Sequence, residues 1–340
     1  MSEVARIVQD VRERGDAAVL EWALRLDGVE PARAEPAGEL PEEALLALAD
    51  AVRRWHALQR PADVRLELAP GVELERRWVP LASVGIYVPR GLVSTLVMCA
   101  VPAQLAGVER ITVVTPPERS GVVAAAARLL GLDEVWAVGG PQAIAALAFG
   151  TETIPQVDKI VGPGNAYVNE AKLLVSLVVP IDLPAGPSEL VVLATPGADR
   201  YLAERELAAQ AEHGPGTRCR LIEAERDPER ALAAVEELAP EHLLLLGADA
   251  EALAPRVRNA GAVFVGSSSS VAAGDYATGG NHVLPTGGSA RSVGGLGLET
   301  FLKPVTVQRL TPEGLARLRP VVEALAELEG MPAHAEAVRR

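Results

Sequence analysis

Cysteine is nearly missing from this chain: there are two among 340 residues, Cys99 and Cys219, in unrelated contexts and without CxxC spacing. That scarcity excludes a disulfide framework and a thiolate zinc site. Cys99 lies inside the apolar stretch from Leu96 to Ala103 and reads as a core residue. A basic stripe is also missing, and the formal net charge is -13, which argues against nucleic acid as the main partner. Long apolar runs are absent as well. The longest, around Leu173 to Ile181, is far too short to span a bilayer, and the charged N-terminus has no signal-peptide core. A cytoplasmic location with no membrane partner is expected.

What is present suits two domains of ordinary size, each with enough apolar residues for a core. Residues 2–26 read as two helices broken at Gly15, with Asp16 as an N-cap, and 41–60 as a third. From Val72 the residues alternate as in a strand, leading into Ser83–Pro89. The spacing then predicts helices over 94–107, 120–130, 141–148 and 165–178, alternating with strands over 110–115, 134–138 and 157–161. After the Gly/Pro-rich stretch Pro184–Pro187 a second alternation places strands at 189–194, 218–223, 242–246 and 262–265, with helices at 199–212, 228–238 and 250–258. Strand and helix alternating at this spacing give an α/β fold of two doubly wound, Rossmann-like parallel sheets. Residues 1–82 and 190–292 are expected to form one domain and 83–189 the other. Residues 293–340 are expected to form a C-terminal tail, helical from 312 on and with little core of its own, that docks on another surface.

Polar residues collect in the C-terminal half. Gln210 and His213 are three apart at the end of a predicted helix, so they share a face and can offer an amide oxygen and an imidazole nitrogen to one ion. A surface Gln beside a C-terminal-turn His fits the same spacing. Asp275 and His334 can complete a nitrogen and oxygen shell of the kind zinc accepts where substrate also binds. Glu241 and His242 precede four leucines, so they stand either at a solvated strand end or as a proton-transfer pair at the mouth of a buried strand. His282 reads as a loop-ordering residue, and His56 as surface or packing. Two strand-to-helix turns are glycine-rich, Gly139-Gly140-Pro141-Gln142 and Gly162-Pro163-Gly164-Asn165. Neither is a GxGxxG fingerprint, yet together they point to a ligand at the sheet's carboxyl edge.

The runs Ser83–Pro89, Gly139–Ala143, Asp158–Tyr167, Ala185–Glu189, Ala209–His213, Ala239–Leu243, Asn281–Thr286 and Glu329–His334 closely resemble the histidinol dehydrogenase family, and in that family's order. The resemblance covers nearly the whole chain. It implies a zinc-containing, NAD-linked homodimer that oxidises L-histidinol to L-histidine in two hydride transfers through an enzyme-held aldehyde. Carried over by position, it makes Gln210, His213, Asp275 and His334 the zinc ligands and Glu241 and His242 the catalytic pair. Ser188 and Glu329 become substrate contacts, alongside Gln210, His213, His242, Asp275 and His334, while Tyr87, Gln142 and Asn165 become NAD contacts. The tail is expected to cross to the partner subunit and bring His334 and Glu329 with it. This chain departs from the family in a late-starting N-terminus and in the link from strand 218–223 to Glu241, a single short helix where relatives carry a further helix and strand. Two other readings accompany the first: a relative acting on another amino or hydroxy alcohol, and a non-catalytic paralogue, against which the intact Glu241 and His242 speak.

Overall fold

The computed structural model describes residues 1–183, 186–214, 216–224 and 227–339; Pro184 and Ala185, within the Gly/Pro-rich stretch and the run 185–189, lie outside the described residues. The chain divides into one unit of Met1–Gln59 with Leu81–Phe301 and a second of Arg60–Pro80 with Leu302–Arg340.

The first unit opens with α1 (Glu3–Arg14), capped by the Ser2 hydroxyl accepting from the Ala5 amide at 3.1 Å, and α2 (Asp16–Leu26). Gly15, not Asp16, holds the cap position of α2, and its φ of 55° is a conformation that glycine adopts without a steric penalty. α1 buries Val4, Ile7, Val8 and Val11, the i, i+3, i+4, i+7 stripe of an amphipathic helix. Next come β1 (Ala32–Arg33) and α3 (Glu42–Ala57), and then β2 (Val64–Ala69) and β3 (Val72–Pro80), which belong to the second unit.

On returning, the chain lays down β4 (Ser83–Tyr87), α4 (Val93–Ala106), β5 (Arg110–Thr115), α5 (Ser120–Leu129), β6 (Val135–Ala137), α6 (Gly140–Phe149), β7 (Ile160–Val161) and α7 (Ala166–Val175). The sheet order is β1-β6-β5-β4-β7, parallel except for the edge strand β1. All of β4 is buried, as both faces of a parallel sheet must be covered. The stripe of α1 and the residues Ala18, Val19 and Trp22 of α2 form one cluster with α6 and α7. Residues 3–26, grouped above with 190–292, therefore pack within the first sheet's core, because that is where their apolar stripe finds a partner. α4 is apolar around most of its circumference and buried accordingly, against α3 and α5.

The second sheet comes from β8 (Glu189–Ala194), α8 (Arg200–Ala211), β9 (Arg218–Glu223), α9 (Pro228–Leu238), β10 (His242–Leu246), α10 (Ala250–Leu253), β11 (Ala262–Val265) and α11 (Val271–Tyr276). Its order is β11-β10-β8-β9, all parallel. The leucine run of β10 is shared between two cores. Leu243 and Leu245 join Val191, Val235 and Leu253 on one face; Leu244 and Leu246 join Val192, Ala203 and Val271 on the other. Each such leucine contributes about 1.5–3 kcal/mol by leaving water. The helix read over 250–258 shortens to α10 and a 3-10 turn at Ala254–Arg256, since Pro255 has no N–H for a further helical turn.

In the second unit β12 (Leu302–Leu310) pairs antiparallel with β3 and β3 with β2, followed by α12 (Pro312–Leu328) and α13 (Pro332–Ala337). The tail thus begins with a strand before turning helical. Its charge pairing depends on β3: the Arg309 guanidinium reaches Glu73 at 2.9 Å and Glu75 at 2.7 Å. Among the described residues no helix is long and apolar enough to cross a membrane.

Candidate active site

The candidate catalytic pair stands at the amino edge of the second sheet. Glu241 directly precedes β10, His242 is its first residue, and both are buried. Parallel pairing sets His242 beside Leu190, so the neighbouring main chain is that of Glu189 at the start of β8. Glu189 holds both residues. Its amide donates to Glu241 Oε2 at 2.7 Å, and its carbonyl accepts from His242 Nδ1 at 3.1 Å. With the Nδ1 proton committed, Nε2 is the free basic nitrogen, and it lies 3.7 Å from Asp275 Oδ1. Burial opposes a charge on His242, but the Glu241 carboxylate 3.6 Å away, Asp275 and the Glu189 carbonyl together hold the imidazole above its usual range.

α8 and α11 both run back toward this edge. They are joined where Glu206 Oε2 accepts from the Val271 amide at 3.1 Å. Gln210 is one turn beyond Glu206 on the same face of α8, as Asp275 is one turn beyond Val271. Gln210 is buried, and one atom of its amide, Nε2, has no partner. His213, exposed beyond the end of α8, donates from Nδ1 to the Gln210 carbonyl at 3.1 Å, which leaves Nε2 available. A histidine whose other nitrogen is already engaged suits a metal-binding donor set, whereas Gln210 would offer a metal its amide oxygen and not the unpartnered Nε2. Among the described residues, however, no three His, Cys, Asp or Glu side chains converge closely enough to hold a metal ion by themselves. Ser188 is half-buried at the same edge, its carbonyl accepting from the Arg218 amide at 2.8 Å. His334 on α13 and Glu329 at the end of α12 are exposed and belong to the second unit.

Two groups in this region carried little sequence signal. His282, half-buried, sets Nδ1 3.1 Å from the Asp275 carbonyl and Nε2 3.4 Å from the Thr95 hydroxyl of α4, linking the first sheet's helix to the candidate catalytic edge. Burial keeps it below the usual imidazole range despite the charge of Asp275. Glu189 acts through its main chain, which no side-chain pattern reveals.

The three candidate cofactor residues collect at the carboxyl edge of the first sheet. Tyr87 ends β4, and its hydroxyl, 3.4 Å from the Gly140 amide, accepts from it; burial pushes the phenol up to about 12. Gln142 is fully buried and donates to Asp27 Oδ2 at 3.2 Å, while its own Oε1 has no partner. Burial raises the Asp27 carboxyl above the ordinary range, against the hydrogen bonds from Gly139 and Gln142. Asn165 caps α7, its Oδ1 accepting from the Tyr167 and Val168 amides at 3.1 and 3.0 Å.

The family model described as histidinol dehydrogenase matches residues 1–231 and 223–340. The chain belongs to the histidinol dehydrogenase family. It is an enzyme, an oxidoreductase. Histidinol dehydrogenases of Methanosarcina mazei and Cereibacter sphaeroides are 39% and 43% identical to it, each alignment covering 99% of this chain and 90% of the relative. A crystal structure of histidinol dehydrogenase from Elizabethkingia anophelis superposes with a TM-score of 0.91 at 33% identity, covering 98% of this chain and 90% of that one. The two matched segments overlap at 223–231, where a short link joins β9 to α9.

Proposed function

We propose that this chain is a histidinol dehydrogenase in full: a zinc-containing cytoplasmic enzyme of histidine biosynthesis that oxidises L-histidinol to L-histidine, with NAD, through the aldehyde. The observation that carries the proposal is the buried Glu241–His242 pair, both members clamped by Glu189 with Asp275 beside the free His242 nitrogen. Residues 83–189 would carry the NAD contacts Tyr87, Gln142 and Asn165, and 190–292 the catalytic pair with most of the metal donors. Gln210, His213, Asp275 and His334 would hold zinc, which would grip the substrate's amine and imidazole while NAD accepts hydride.

The chain's own residues do the proton work. His242 Nε2 takes the hydroxyl proton as hydride leaves the carbinol carbon, and the nearby carboxylates of Glu241 and Asp275 stabilise the imidazolium so formed. Glu241 then activates a water that adds to the aldehyde, and His242 takes a proton from the resulting diol for the second transfer. Ser188 and Glu329 orient the substrate. The tail, 293–340, reaches a partner subunit in a homodimer, so that His334 and Glu329 serve the neighbouring site. The exposed apolar residues Val321, Leu325, Leu328 and Met331 around them fit burial against another chain. The short link between β9 and α9 favours one second reading, the same machinery acting on another amino or hydroxy alcohol. Turnover of the zinc-loaded chain with L-histidinol and a panel of small alcohols tests both. Two NADH per histidinol are expected; preference for another alcohol would replace the substrate, and one NADH with release of aldehyde would remove the second step.

A further inference from the structure

One ion pair in the first unit is fully buried. Lys172 of α7 and Asp182 are each 1% exposed at the side chain, with Nζ and Oδ1 2.5 Å apart. The neighbours in sequence are apolar: Val168, Ala171 and Val175 of α7 belong with Ile160 to one core cluster, and Ile181, beside Asp182, packs against it. A buried pair in such a place contributes little to stability beyond what well-packed apolar side chains supply, because desolvation offsets the attraction. Its remaining bonds suggest another role. Lys172 Nζ donates to the Gly162 carbonyl at 2.8 Å, and the Gly162 amide donates to Asp182 Oδ2 at 2.7 Å. The two charges therefore grip a single residue of the main chain from both sides.

Gly162 opens the turn that ends in Asn165. Its φ is 106°, and a Cβ there would lie 2.2 Å from the Tyr87 carbonyl oxygen, so the turn rests directly on Tyr87. Two residues on, the Gly164 carbonyl accepts from Asn169 Nδ2 at 2.8 Å, and Asn165 uses its own Oδ1 to cap α7, leaving its amide nitrogen to donate elsewhere. The turn is thus held in place before any ligand arrives, and the ion pair is its buried anchor. We propose that Lys172 and Asp182 are positioning residues for the cofactor: by fixing Gly162 they set Asn165 and Tyr87 in the geometry that receives NAD. This rests on the reading of Tyr87 and Asn165 as NAD contacts.

The test is the neutral double variant Lys172→Met with Asp182→Asn, in which the asparagine still offers Gly162 an acceptor but the lysine bond is lost. Its dissociation constant for NAD, measured by calorimetry, is expected to rise ~10- to 100-fold, the scale that a displacement of about an ångström produces in a pre-organised site. The KM for L-histidinol at saturating NAD and the zinc content should stay unchanged. Val175→Ala, in the same helix and core, should lower the melting temperature while leaving NAD binding intact. Wild-type NAD affinity in the folded double variant would overturn the proposal, as would equal weakening in Val175→Ala or a parallel loss of histidinol affinity. A wild-type chain that binds no NAD would instead overturn the underlying cofactor reading.

Discussion

Glu189 is the residue on which both members of the candidate catalytic pair depend, and it acts through atoms that every residue possesses. Glu241 consequently has a structural duty beside the chemical one proposed for it: it accepts the buried Glu189 amide. Glu241→Gln keeps an oxygen for that amide and is expected to hold wild-type stability while losing most oxidation of the aldehyde. Glu241→Ala leaves the amide unpaired and should also lower unfolding free energy by about 1–3 kcal/mol, read by denaturant titration. His56 has a different role. It is fully buried, with Nδ1 2.8 Å from the Val52 carbonyl, and burial pulls its imidazole below the usual range despite the Val52 and Leu296 carbonyls and the charge of Glu299. The unfolded chain therefore binds the proton at higher pH than the folded one. The contribution of His56 to stability is present above about pH 6.5 and is lost as pH falls from there through the lowered folded value. His56→Asn should flatten the slope of stability against pH in that window; an unchanged slope would refute it.

At the scale of elements, β10 joins the core to the candidate site. Its first residue is His242, and its leucines alternate between two helical layers, so shortening one should disturb the layer it enters. Leu244→Ala is expected to cost about 2–5 kcal/mol. Because Leu244 shares its cluster with Val271 of α11, which carries Asp275, the variant should lose activity beyond its loss of folded protein; specific activity per folded molecule checks this. The strands and helices of the two alternations were largely legible because a buried parallel strand is a short apolar run between turn residues, and the helices between them carry a longer period. The strand at 302–310 was not. Its alternation is polar enough to pass for loop, and it is a strand because β3 offers a paired edge and the carboxylates of Glu73 and Glu75. The packing partner of the N-terminal helices was not legible for a related reason: a stripe such as that of α1 announces burial without naming the surface it meets.

At the scale of the whole molecule, the proposed exchange of tails predicts complementation. His334→Asn and Glu241→Gln chains should each form almost no L-histidine alone, the first with lowered zinc content. Unfolded together and refolded at equal amounts, they should form mixed dimers in which one of the two sites has every group intact, recovering about a quarter of wild-type activity. Recovery near zero would place His334 in its own chain's site.

The sequence by itself determined the two runs of α/β elements, the chemical identity of the candidate donors and bases, and, through ordered motifs, the family. These are local properties: periodicity, residue type and spacing survive without a partner surface. The tertiary structure alone decided that Glu189 clamps Glu241 and His242, that Asp275 lies against His242, that His282 links Thr95 to that edge, and that Lys172 and Asp182 anchor Gly162. Each of those depends on main-chain atoms or on side chains from separate elements meeting out of water, and only the packing of the sheets and helices brings them together.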